Sequence, residues 1–222
     1  MNKVDNREES EGLKGRYIYI LSPVRYATTD QKLVIQEYAE KLKLAGAKLF
    51  NPADDAPQED ATGYNIVMAE LNFLHEAAKN GGRVDILWNA GGKPSEGSRV
   101  DIGIAVALGL ELNLVEIFNA EAPTGPQVCF KYLDGVVEEW WMMDNLVKKI
   151  LRGKSVEIDW DTEMTGEKQE WQRILLGMAL GKMAIDSDFK IKLRTVVGID
   201  PPEMKSYVKV MKEIEARQSI SA

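Results

Sequence analysis

The chain has 222 residues, a formal net charge of −7 and a hydrophobic fraction of 45%, which predict one globular domain or one domain with an extension. The negative charge argues against a broad nucleic-acid surface, because such a surface needs clustered Lys and Arg. No apolar run approaches the roughly 20 residues that span a bilayer, and the polar first residues do not resemble a secretory signal. We therefore expect no nucleic-acid polymer and no membrane as a partner.

The cysteine and histidine content limits the possible chemistry. A single cysteine, Cys129, excludes an intrachain disulfide and suits a reducing cytoplasm. The chain has one histidine, His75, and no cysteine pair, so a zinc site is not expected. We expect neither a metal nor a cofactor.

Apolar β-forming runs alternate with segments of helical periodicity over the first 118 residues. This alternation predicts a parallel sheet with right-handed crossovers and helices on both faces. The predicted strands are 16–21, 47–50, 83–88 and 112–118, and the predicted helices are 29–45, 64–79 and 98–109, with an acidic loop at 53–63.

The pattern is less regular after residue 118. It predicts a fifth strand at 128–132, a helix at 135–151 and a short strand at 155–160, followed by helices at 167–185, 189–197 and 202–216. We therefore divide the chain into a flexible tail (1–15), an α/β domain (16–153) and a helical extension (154–222).

The loop between the third predicted strand and its helix is the strongest candidate for a site. It contains the small residues Ser95, Gly97 and Ser98, and Asp101 follows in the first predicted turn of the helix. Ligands of open α/β sheets bind beyond the carboxyl ends of the strands, and a helix N-terminus favours an anion. These residues suggest chemistry on a phosphorylated sugar. Ser98 and Asp101 are also spaced like a capping box, which would make them structural.

Several short motifs occur in a fixed order between residues 17 and 118. They are Ile18-Tyr19-Ile20, Ser22-Pro23, Asn51-Pro52, Glu70-Leu71, Val84-Asp85-Ile86, Gly97, Asp101-Ile102-Gly103-Ile104-Ala105 and Ala107-Leu108-Gly109. In this order they resemble the nucleoside 2-deoxyribosyltransferase superfamily, which includes the 2′-deoxynucleoside 5′-phosphate N-hydrolases and the CMP N-glycosidases. The resemblance covers about half the chain and implies a Rossmann-like or flavodoxin-like sheet.

The resemblance also implies roles for individual residues. Asp101 matches a glutamate that attacks the anomeric carbon, and Tyr19 matches an aromatic residue whose hydroxyl holds that carboxylate. Glu70 matches an aspartate that handles the proton of the departing base, and Ser95 matches a serine that contacts the 5′-phosphate. This chain has Asp for Glu at 101 and Glu for Asp at 70, and two complementary changes could preserve the separation of the carboxyl groups or mark a rebuilt pocket.

Five further residues are candidates for substrate binding. Ser22 follows the first strand, and Arg25 could bind a phosphate with two hydrogen bonds. Asp85, at the start of the third strand, would either contact the substrate or orient a loop. The amides around Gly97 and the hydroxyl of Ser98 complete the set.

Three functions remain open from the sequence. The leading hypothesis is an N-glycosidase or N-glycosyl transferase that cleaves the N-glycosidic bond of a nucleoside or nucleoside 5′-monophosphate. The Asp101 departure allows a nucleotide-binding or sensing module without catalysis. Gly91-Gly92 and Gly97 also resemble the glycine-rich loop of lysine-decarboxylase-like phosphoribohydrolases, although the Gly-Thr of that family is missing here.

Apolar segments in the second half of the chain predict a homo-oligomer. The run Trp140-Trp141-Met142-Met143 is apolar all round, and Gly177 and Gly181 would allow close approach of another helix. Exposed apolar patches are commonly covered by symmetric assembly. The predicted interface spans residues 136–185.

Overall fold

The structure, a computed structural model, describes residues 12–24, 27–89, 96–118, 147, 149–160, 167–195 and 202–221. In chain order, the described elements are β1 (Tyr17–Leu21), α1 (Thr29–Leu44), β2 (Lys48–Phe50), α2 (Pro52–Asp55), α3 (Tyr64–Lys79), β3 (Arg83–Asn89), α4 (Glu96–Ala107), β4 (Glu111–Phe118), β5 (Ser155–Trp160), α5 (Glu167–Ile185), β6 (Lys190–Thr195) and α6 (Pro202–Ser221).

A four-stranded parallel sheet organises the first half of the chain. Its strand order is β2-β1-β3-β4. The chain adds β2 on one side of β1 and then crosses to the other side to add β3 and β4, so the order of addition changes between β1 and β3. Side chains of α1 pack on one face with Ile18, Ile20 and Leu87, whereas α3 and α4 pack on the other face with Tyr19 and Ile86. The α/β class with a Rossmann-like or flavodoxin-like sheet is confirmed.

Local sequence signals explain where the helices begin. Thr28 caps α1 in a capping box with Gln31, in which each side chain accepts a hydrogen bond from the backbone of the other. Asn51 caps α2, so the predicted loop at 53–63 begins with a short helix. None of the described helices is both long and apolar enough to cross a membrane.

The predicted helix at 189–197 is wrong, because β6 occupies this segment and pairs in parallel with β5. Ile191 and Leu193 alternate with the exposed residues Lys190, Lys192 and Arg194, which is the two-residue period of a strand. On β5, the buried residues Val156 and Ile158 alternate with exposed residues. The extension therefore combines helices with a two-stranded sheet.

Helices α4 and α5 pack with their backbones in contact. A Cβ atom at Gly177 would overlap the carbonyl oxygen of Val100, and one at Gly103 would overlap the carbonyl oxygen of Ile174. Residues 172–181 of α5 are all buried within the chain. Gly177 and Gly181 pack against α4, so they do not offer the surface to a second copy that the sequence predicted. Homo-oligomer formation stays a prediction.

Some expectations lie wholly or partly outside the described residues. The strand at 128–132 and the Trp140–Met143 run lie outside them, and only residues 147 and 149–151 of the predicted helix at 135–151 are described. At the N-terminus, residues 12–15 form a turn, and the Gly15 amide donates to the Gly46 carbonyl at 2.8 Å. Residues 1–11 of the predicted tail lie outside the described residues, and the division of the chain stays a prediction.

Asp85 is fully buried and bonded on both carboxylate oxygens. Arg83 Nε lies 2.8 Å from Oδ1, Asn113 Nδ2 donates to Oδ1 at 2.8 Å, and the Tyr38 hydroxyl donates to Oδ2 at 2.7 Å. Burial and Asp85 raise the pKa of Tyr38, so its hydroxyl remains a donor. Asp85 thus links β3 to α1 and β4.

We expect Asp85→Asn to lower the free energy of unfolding by about 3 kcal/mol, because it removes one partner of a buried ion pair and mismatches the remaining donors. Urea denaturation measures this change. Glu111→Gln serves as the control, since its ion pair with Arg16 is exposed and should contribute less than about 1 kcal/mol. Equal losses in the two variants would contradict the structural role of Asp85.

Candidate functional site

Tyr19 lies in the middle of β1 and is fully buried on the face covered by α3 and α4. Its ring stacks on Phe50 with centroids 5.5 Å apart, and Phe73 lies against both rings at 6.4 Å and 5.1 Å. These aromatic rings hold the phenol in one position.

Asp101 projects from α4 towards Tyr19. The Tyr19 hydroxyl donates to Asp101 Oδ2 at 2.9 Å across 82 positions of sequence. Helix α4 begins at Glu96, so Asp101 lies in its second turn rather than the first. The capping-box interpretation is therefore wrong, because Ser98 is already inside the helix.

Glu70 brings a second carboxyl group to the same place from α3. It is 5% exposed and lies within hydrogen-bond reach of both Asp101 and the Tyr19 hydroxyl. Glu70 and Asp101 therefore bring two carboxyl groups together. Three elements that are distant in sequence thus form one cluster, which we call the carboxyl pair with Tyr19.

Burial controls the protonation of the carboxyl pair. Loss of solvent raises the pKa of Asp101 to about 7, against the lowering effect of hydrogen bonds from Tyr19 and Glu70. Burial, followed by repulsion from Asp101, raises the pKa of Glu70 well above its usual range. Near neutral pH the pair therefore retains a proton, and that proton lets two carboxyl groups lie in contact.

Ser22 directly follows β1, at the edge of the sheet where the strands on the two sides of β1 were added in opposite directions. It is 4% exposed, and its buried Oγ has no hydrogen-bond partner in the part of the chain that the structure describes. A buried hydroxyl without a partner is unfavourable, so this position is suited to a ligand that supplies one.

The remaining predicted site residues fall into three groups. Ser98 is buried on α4 and Gly97 is exposed in its first turn. Asp85 does not join the carboxyl pair, because its neighbours Val84 and Ile86 face Tyr19's side of the sheet and its own oxygens bind Arg83, Asn113 and Tyr38. Arg25 and Ser95 lie outside the described residues.

The structure adds residues that were not predicted from the sequence. Phe50 and Phe73 surround Tyr19, and the buried Arg99 guanidinium lies 5.7 Å from the centre of the Trp88 ring. Phe73 lies three residues after Glu70, a spacing that puts both on one side of α3. No comparable signal was available for the Arg99–Trp88 pair, because their contact depends on how α4 lies on β3.

Other features of the described residues do not add to the carboxyl pair. A cavity of about 410 Å³ lies between α3, α5 and α6, and it is lined by His75 but by none of the three cluster residues. Within the described ranges no group of three or more His, Cys, Asp or Glu side chains could hold a metal ion. Comparisons with protein-family models, curated proteins and solved structures find no match to this chain.

Raised carboxyl pKa values predict an unusual dependence of stability on pH. An unfolded Asp101 ionises near pH 4, whereas the folded one ionises near pH 7. Between these values the folded state binds more protons than the unfolded state, so stability falls as pH rises through this window. Asp101→Asn removes this penalty and can still accept from Tyr19. We expect it to raise the melting temperature by several degrees at pH 8 and to have little effect at pH 4.

Thermal unfolding monitored by circular dichroism at both pH values measures this difference. Asp85→Asn is the matched control, since it changes another buried aspartate and should destabilise the protein at pH 8. An Asp101→Asn variant that is less stable than the unmodified protein at pH 8 would show that Asp101 has a structural role.

Proposed function

We propose that this protein is an enzyme that cleaves the N-glycosidic bond of a nucleoside or nucleoside 5′-monophosphate, as an N-glycosidase or N-glycosyl transferase. The observation that carries the proposal is the contact of Asp101 with both Tyr19 and Glu70 in a water-poor site. Groups of one kind with different pKa values in one site can divide acid and nucleophile roles between them. The ordered motifs of the sequence support the same chemistry.

In this proposal Asp101 is the nucleophile. Its ionised carboxylate attacks the anomeric carbon, the bond to the base breaks, and a covalent glycosyl–enzyme ester forms. The Tyr19 hydroxyl donates to Oδ2, which orients the carboxylate and leaves Oδ1 for the attack. Oδ1 is buried and accepts no hydrogen bond from an amide, hydroxyl or amino group of the described residues.

Glu70 is the proton donor and acceptor. Its raised pKa keeps it protonated, so it can donate a proton to the departing base. The resulting carboxylate can then take a proton from water, or from a second base, as that molecule attacks the ester. Because Glu70 contacts Asp101 in the structure, a substrate that uses both groups has to separate them.

Two further properties belong to the proposal. The single cysteine fits a reducing, cytoplasmic compartment, where nucleotide substrates are present. A homo-oligomer remains an expectation, supported by the apolar run at 140–143 in the sequence. The reaction as written uses side chains for nucleophilic and acid–base steps and needs no cofactor.

We expect Asp101→Ala to lower base release at least about 1,000-fold, because it removes the covalent nucleophile. Glu70→Gln, which keeps the shape and loses the proton, should lower kcat about 100-fold or more. The assay incubates the protein with a panel of nucleosides and nucleoside monophosphates and measures free base by chromatography.

Glu76→Gln is the control, since Glu76 lies on the same helix but is exposed and paired with Lys79. It should retain the full rate. The catalytic proposal is wrong if the unmodified protein neither releases nor exchanges a base. Thermal stabilisation by nucleotides in that case would point to a binding module instead.

The Ser22→Ala variant tests whether the Ser22 hydroxyl binds substrate without contributing to the stability of the fold. Because the Ser22 hydroxyl has no hydrogen-bond partner among the described residues, its removal should leave the free energy of unfolding unchanged or slightly raised. If Ser22 binds a hydroxyl or phosphate oxygen of the substrate, KM should rise about tenfold, the equivalent of one lost hydrogen bond. Steady-state kinetics and urea denaturation test the two effects. An unchanged KM would exclude Ser22 from the substrate site.

A further inference from the structure

The contact between α4 and α5 lies directly behind Asp101. The carbonyl oxygen of Val100, the residue before Asp101, occupies the space where a side chain at Gly177 would stand. One turn further along α4, Gly103 makes the reciprocal contact with the carbonyl oxygen of Ile174. At this point the distance between the two helices is fixed by backbone atoms rather than by flexible side chains.

This distance also fixes Asp101 relative to its partners. Tyr19 belongs to β1 and Glu70 to α3, so neither moves with α4. A shift of α4 would change the 2.9 Å hydrogen bond from Tyr19 and the contact with Glu70 together. A displacement of about 1 Å is enough to cost roughly 100-fold in rate when reacting groups have to be aligned.

We infer that Gly177 is a positioning residue for Asp101, and that α5 sets the separation of the carboxyl pair by holding the Val100 carbonyl in direct backbone contact. The inference rests on the proposed function for its catalytic consequence. The position of Asp101 relative to Tyr19 and Glu70 follows from the contacts between α4 and α5 and does not depend on that function.

Gly177→Ala tests the inference, with Gly181→Ala as the matched control. A Cβ at Gly181 would lie 2.9 Å from the Ile104 carbonyl oxygen, which is a milder conflict on the same helix, and Ile104 is three residues beyond Asp101. We expect kcat to fall about 100-fold in Gly177→Ala with little change in KM, and to stay within roughly threefold in Gly181→Ala.

Titration of the Asp101 carboxyl by carbon-13 NMR supplies a readout that loss of stability alone does not change. Loss of the Tyr19 hydrogen bond should raise the Asp101 pKa in Gly177→Ala, because that bond favours the ionised form. Gly181→Ala should titrate like the unmodified protein. If the unmodified protein releases no base, the proposed function fails, and this titration still decides the positioning role.

If Gly177→Ala does not fold, Gly103→Ala is used, again with Gly181→Ala as its control. A Cβ at Gly103 would overlap the Ile174 carbonyl oxygen, so this variant strains the same backbone contact from the α4 side. Gly103→Ala should lower kcat and raise the Asp101 pKa, whereas Gly181→Ala should do neither. A folded Gly177→Ala or Gly103→Ala with unchanged kcat and titration overturns the inference.

Discussion

Two carboxyl groups in contact and out of water can coexist only if at least one of them holds a proton, and the arrangement around Tyr19 depends on this constraint. Asp101 and Glu70 are both about 95% buried, so neither can ionise with the help of solvent. A proton held between them removes their mutual repulsion, but it does not offset the loss of solvent. The packing of β1, α3 and α4 keeps both carboxyl groups buried, and this burial is what raises their pKa values.

The two buried aspartates, Asp85 and Asp101, differ in the groups that contact their carboxyl oxygens. Asp85 is fully buried yet receives hydrogen bonds or an ion pair from Arg83, Tyr38 and Asn113. Asp101 receives one hydroxyl and faces another acid. The protein could have supplied a cation at Asp101 as it did at Asp85. Among the described residues no cation contacts Asp101, and burial raises its pKa to about 7, so its protonation changes near neutral pH.

The sequence predicted the fold well wherever a single period dominated a segment. Alternating strands and helices up to residue 118 gave the parallel sheet, and the helices at 64–79 and 167–185 have the predicted bounds. The strand at 190–195 was missed because six residues with only two apolar positions give a weak strand signal. The candidate site depended on the motif resemblance for Tyr19, Glu70 and Asp101. The sequence could not show that Asp85 points away from them, since the direction of a strand side chain depends on which helix covers each face.

The same packing explains why the extension is part of the candidate site's structure and not a separate unit. Helix α4 has the sheet on one side and α5 on the other, so residues 98–105 are buried almost without interruption. A helix that is buried on all sides has no solvated face. At Gly103 and Gly177 the two helices touch through backbone atoms, so α4 cannot shift by rearranging a side chain there. Helix α6 contacts α3 through Arg217, which donates to Asn72 at 2.8 Å, and contacts the turn before α3 through Ser206, which donates to the Thr62 carbonyl. Helices α4 and α3, which carry the two carboxyl groups, thus each pack against a helix of the extension, α5 and α6 respectively. Burying two carboxyl groups in contact is unfavourable by itself, and this packing on both helices offsets it.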